Sequence, residues 1–103
     1  MNKKVQISDI EYEIIVSSLL YLAELKPMNY EYRLYEIYCS MKNHYIKFID
    51  CNDILDALAL SKMFINDDPN VLRHLKFRYD QYILSHHLDS VIYKLRLMTN
   101  QHE

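Results

Sequence analysis

Apolar residues return every three or four positions along most of this chain, and the breaks in that rhythm mark out its elements. Tyr12, Ile15, Val16, Leu19, Leu22 and Ala23 form the first stripe, widened by Ile14, Tyr21 and Leu25, with Glu13, Ser17 and Glu24 on the wet side. Ser8 followed by Glu11 is a capping box, and Ile7 with Tyr12 is positioned as a hydrophobic staple, so a helix is predicted over 8–25. Pro27 disfavours helical geometry at Lys26, and the short connection through Asn29, a candidate N-cap, favours antiparallel packing of the next helix.

The second periodic stretch, 30–48, carries Leu34, Ile37, Tyr38, Met41, Tyr45 and Phe48 on one line, with Tyr32, Tyr35 and Cys39 beside it. It is apolar over more than half its circumference and therefore needs neighbours on two sides. HYIKFI within it also alternates weakly like a strand, but helix is the reading adopted because no partner strand stands out elsewhere. Asp50 and Asp53 open a third helix over 51–65, with Ile49 stapled to Ile54 and Ile54, Leu55, Leu58 and Ala59 buried. Asp68 as N-cap and Pro69 as first residue start a fourth.

From Pro69 to Met98 nothing breaks the pattern, which would make a helix of roughly 45 Å. That is too long for a domain with a radius of gyration of ~13 Å. Leu72, Leu75, Tyr79 and Tyr82 form one stripe and Leu88, Val91, Leu95 and Met98 another, with the phase slipping near Ser85–His87. The expectation is thus an all-α, four- to five-helix antiparallel bundle (8–25, 30–48, 51–65, 69–84 and 86–98, the last two alternatively one helix), a single domain with 1–6 and 99–103 frayed.

Composition changes this picture in one respect. The 103 residues contain no glycine, which removes nucleotide-binding loops, dinucleotide fingerprints and nucleophile elbows from consideration. A net charge of −2 with interspersed signs provides no long-range attraction for nucleic acid or membranes. No apolar run approaches the ~20 residues of a membrane span, Asp9, Glu11 and Glu13 interrupt any signal-peptide core, and a cytoplasmic location is expected. The abundance of Ile, Lys, Asn and Tyr matches AT-rich coding, as in a low-GC bacterium or a phage or plasmid within one.

Candidate chemistry is sparse. His86 and His87 point ~100° apart on a helix and do not chelate together, and His74 is out of phase with both. Cys39, His44 and Cys51 lack the paired knuckle of a zinc site and read as ordinary buried thiols and a local histidine. Asp50, Asp53 and Asp56 have the three-residue spacing of carboxylates that share a proton or hold Mg²⁺, although capping and the helix dipole explain the first two. No serine or cysteine has a histidine at a nucleophile spacing, so no catalytic residue, metal, cofactor or small-molecule substrate is assigned.

Two surfaces remain. Tyr32, Tyr35 and Tyr38, with Tyr93 on the C-terminal half of the last helix, suit a protein partner or a second copy of the chain, because tyrosine joins an apolar ring to a polar tip. Arg73, Lys76 and Arg78 are the alternative, a basic patch for DNA or RNA, flanked by Asp67, Asp68 and Asp80. The leading expectation is a small non-enzymatic protein that binds and occludes a partner macromolecule, in the manner of an inhibitor or regulator carried by a phage or other mobile element; a nucleic-acid-binding regulator is second.

Overall fold

The computed structural model describes residues 4–25 and 28–100, and the side chains of 28–30 are outside the description. The Pro27 break and the last three residues of the expected C-terminal fray lie outside the described residues, while the second helix already begins at Met28, so Asn29 is within it and is not its N-cap.

The capping box forms as its sequence requires. Ser8 N–H donates to Glu11 Oε1 at 2.9 Å, Glu11 N–H donates to Ser8 Oγ at 3.2 Å, and helix α1 runs Asp9–Leu25. Helix α2 runs Met28–Ser40, α3 runs Cys51–Phe64 and α4 runs Gln81–Asn100. Helix α1 packs against all three of the others, α3 most extensively, and α3 also packs on α4. The fold is therefore mostly helical, with α1 at its centre.

The expected helix over 30–48 stops at Ser40. A turn through His44, at φ 60, leads into strand β2, Tyr45–Lys47, and a single 3-10 turn at Phe48–Asp50. The missing partner strand is β1, Lys4–Gln6, in the stretch expected to fray. The two strands pair antiparallel with Val5 opposite Ile46, and Ile7 N–H donates to His44 C=O at 2.9 Å. Alternation decides the outcome, since Ile46 is completely buried while Tyr45 and Lys47 face outward. His44 holds a left-handed backbone that a non-glycine residue adopts at a cost of about 1–2 kcal/mol. Its ring stacks on Tyr12 at 4.4 Å between centroids, and its Nδ1 lies 3.2 Å from Asp9 Oδ1.

The expected helix over 69–84 is replaced by a run of turns from Asn66 to Tyr79. Leu72 at φ 52 interrupts any helix there. Burying Val71, Leu72 and Leu75 offsets that strain, because each buried aliphatic side chain contributes about 1.5–3 kcal/mol. Lys76 Nζ closes the turns by donating to the carbonyls of Ile65, at 3.1 Å, and Asp68, at 3.3 Å. Asp80 then caps α4, its Oδ1 accepting from Tyr82 N–H at 2.7 Å. The phase slip is real, but it falls at this cap rather than at Ser85–His87, and α4 continues unbroken through those residues with Leu84, Leu88, Val91, Leu95 and Met98 buried along one side.

Polar ties fix α1 to each neighbour. Glu11 Oε1 accepts from Lys94 Nζ on α4 at 2.8 Å, and Tyr21 Oη donates to Asp68 Oδ2 at 2.6 Å. On α3, Ser61 Oγ donates to Ser18 Oγ at 2.8 Å, both hydroxyls fully buried. Asp50, expected to cap α3, makes no side-chain cap bond; it is buried and accepts instead from Arg33 Nη2 at 3.0 Å and Ser40 Oγ at 2.9 Å. Ile49 is 76% exposed, so it does not staple to Ile54.

Replacing Asp50 with Ala removes the buried carboxylate of this cluster and leaves the Arg33 guanidinium with Asp53 alone and the Ser40 hydroxyl with Ile37 C=O alone. A fully buried pair would cost more, but Arg33 is one-third exposed, so the expected loss is about 2 kcal/mol in urea unfolding; a loss below about 0.5 kcal/mol would show that the cluster contributes nothing. For pH, burial pushes Glu11 up, but hydrogen bonds from Lys94 and Ser8 outweigh it and leave the carboxyl below its ordinary 4.5. The Tyr21 hydroxyl likewise holds Asp68 below its ordinary 3.8. Both contributions are complete above those ordinary values and are lost as pH falls through the lower folded ones. Tyr21 is pushed up from 10.0 to about 12, chiefly by its bond to Asp68 and then by burial, so its contribution is complete below pH 10 and fades toward 12. Melting temperature should be level through neutral pH and fall at both ends, and Tyr21→Phe should lessen the alkaline fall.

Candidate functional site

On α2 the three-residue repeat divides the helix. Leu34 and Ile37 face the core, and Tyr32, Tyr35 and Tyr38 stand outside at 72%, 64% and 42% exposure. The Tyr35 and Tyr38 rings lie 6.4 Å apart and tilted.

Beside this row lies a groove of about 690 Å³. It is lined by Val16, Leu19, Leu20 and Ala23 of α1, Leu34, Tyr35 and Tyr38 of α2, and Leu72, Arg73 and His74 of the stretch before α4. Glu24 and Glu31 stand at its rim, where α1 ends and α2 begins. Leu20 is 59% exposed within it. Sequence reasoning overlooked Leu20, although its absence from the α1 stripe, on an otherwise polar side, was a usable signal. The contribution of Leu72 and His74 was not legible, because it depends on the turn that replaces the expected helix.

The structure thus gathers Tyr35, Tyr38 and Arg73 around one cleft and sets Tyr32 beside it on the same row. Tyr93 is exposed on α4 and does not line the groove. The basic patch is divided: Lys76 turns its ammonium inward to backbone carbonyls, and Arg78 pairs with Glu13. Arg73 alone of the three faces the groove.

The remaining candidates have local partners. Asp50 and Asp53 converge on Arg33, the Asp53 Oδ2 accepting from Nε at 3.1 Å, while Asp56 is exposed. Cys51 is fully buried, 3.5 Å from Lys47 C=O and 3.7 Å from Met98 Sδ, and burial pushes its thiol up to about 11. His86 and His87 meet edge to face. Among the described residues no three His, Cys, Asp or Glu side chains are grouped as ligands for a metal ion, and no helix is long and apolar enough to cross a membrane. A second, shallower cleft of about 610 Å³ between Asp9, Tyr12, Glu13, His44, Arg78 and Tyr79 is spanned by the Asp9–His44 and Glu13–Arg78 pairs.

Compared with known protein families, with curated proteins and with solved structures, the chain matches none.

The two thiols differ in accessibility, since Cys39 is half-buried and Cys51 is sealed. Brief iodoacetamide treatment of the folded protein, read by peptide mass spectrometry, should label Cys39 and spare Cys51 until denaturant is added. Equal labelling of both would contradict the packing of Cys51 against α4.

Proposed function

We propose that this chain is a small non-enzymatic protein that works by docking onto another protein and covering a working surface there, as an inhibitor or regulator acting in the cytoplasm. The docking face is the row Tyr32, Tyr35 and Tyr38 together with the adjoining groove. The observation that carries this reading is the exposure of three aligned tyrosines next to an apolar cleft. A tyrosine buries a large ring at the expense of few rotatable bonds. An apolar face of this kind is covered by a partner more readily than it is tolerated by water.

Nucleic acid is the less favoured occupant. Phosphate recognition needs several cations presented together, and here Lys76 and Arg78 are engaged within the fold. Arg73 adjoins tyrosines and leucines rather than other bases.

The test is affinity capture from a lysate of the organism that encodes the chain, using wild type beside a Tyr32→Ala, Tyr35→Ala double variant of unchanged helicity. A specific protein retained by wild type should fall by about tenfold or more with the variant, as truncation of central aromatic anchors costs about 2 kcal/mol or more. Equal retention by both would remove the tyrosine row from the interface. Retention of nucleic acid that collapses steeply with added salt would replace this reading with the nucleic-acid one.

A further inference from the structure

The stretch from Pro69 to Tyr79 is made of helical pieces that do not join. Asp68 Oδ1 accepts from Asn70 N–H at 2.9 Å and Asp68 C=O accepts from Val71 N–H at 3.1 Å, the start of a capped helix with Pro69 in its first position. Beyond Leu72 the bonds are again helical. Lys76 N–H donates to Leu72 C=O at 3.0 Å, and Tyr79 N–H donates to Leu75 C=O at 2.9 Å. Between the pieces stands Leu72 at φ 52, a left-handed backbone that a leucine adopts only under constraint.

Nothing in the residues themselves stops the helix. From Val71 to Tyr79 there is no glycine or proline, and a continuous helix would put Val71, Leu72, Leu75 and Tyr79 on one side. Besides the burial of Leu72, the break is held by clasps between distant groups. Lys76 Nζ donates to the carbonyls of Ile65 and Asp68, Arg78 pairs with Glu13, and the Gln81 side chain donates to Asn66, drawing the two ends of the run together. A helix over the eleven residues from Pro69 to Tyr79 would be about 16 Å long and would part those ends. Turns and helix are thus two arrangements of one sequence, the first favoured by the clasps and the second by the backbone.

We propose that Pro69–Tyr79 is a two-state switch, in which Leu72 turns from left- to right-handed and joins the pieces into one helix once Lys76 leaves its carbonyls. The clasped turns are the resting form, and the helix is a minor state populated to about 0.1–10%. Conversion frees the Lys76 ammonium and moves Leu72, Arg73 and His74 from their present places in the groove lining. A partner that binds the helical form better therefore reshapes the groove as it docks. The switch stands on the backbone and the clasps; only this consequence rests on the reading of the groove as a docking face.

The test is chemical-exchange saturation-transfer NMR on the full chain, read at Cα. Residues 70–79 should exchange with a minor state of helical shifts, with the largest change at Leu72. Lys76→Met keeps the helix propensity and removes the ammonium, so the minor population should rise about tenfold or more, as loss of charge-assisted hydrogen bonds implies. Leu72→Gly should lower that population about tenfold or more, because glycine accepts positive φ and disfavours helix. Circular dichroism checks that both variants fold, and Lys76→Met carries the test by itself if loss of the Leu72 side chain unfolds the protein.

Absence of exchange over 70–79 in both wild type and Lys76→Met overturns the proposal. So does a minor state with extended or disordered shifts, or a helical one whose population Lys76→Met leaves unchanged. None of these outcomes touches the docking reading, which falls only if the tyrosine variants leave a captured protein unaffected.

Discussion

Helix α1 has to satisfy neighbours all around it, and the rest of the structure follows from how it does so. Its apolar residues Ile14, Ile15, Leu19, Tyr21 and Leu22 are buried, and its polar residues are tied one by one to the elements that cover it. Ser18 meets Ser61 on α3, Glu11 meets Lys94 on α4, and Tyr21 and Glu13 meet Asp68 and Arg78 in the turns before α4. The hydroxyl pair is small enough for α1 and α3 to pack closely, and the hydrogen bond between the two offsets the cost of taking them out of water. What α1 leaves uncovered, from Val16 to Glu24, becomes the groove.

A chain without glycine must turn by other means, and this one uses side chains to hold strained backbone in place. His44 is kept left-handed by the stack on Tyr12 and by a strand bond to Ile7, and Leu72 by complete burial of its side chain. In each case a contribution of a few kcal/mol outweighs about 1–2 kcal/mol of strain. The second turn matters most for the surface, because it brings Arg73 and His74 into the groove lining.

The same division of roles appears on α2. Its inner side supplies Leu34 and Ile37 to the core, and Arg33 anchors it to Asp50 and Asp53, so the outward tyrosines stand on a fixed base. A docking face built on a fixed helix gives up less entropy on binding than one on a mobile loop. The proposed function depends on this row beside an uncovered part of α1.

Where local signals were unopposed, the sequence by itself determined the outcome. The capping box at Ser8 and Glu11 set the start of α1, and the run from Cys51 to Phe64 set α3. Three features needed the tertiary structure. Residues 45–47 became a strand because Lys4–Gln6 lay within hydrogen-bonding reach, a pairing between segments about forty residues apart that no local pattern reports. Residues 69–79 carried a helical rhythm yet became turns, with Leu72 left-handed, Val71, Leu72 and Leu75 buried together, and the Lys76 ammonium bound to the carbonyls of Ile65 and Asp68, contacts that a local pattern does not report. The groove is of the same kind: its residues come from three separate stretches, and only the packing of α2 and the Asn66–Tyr79 turns against α1 brings them to one place.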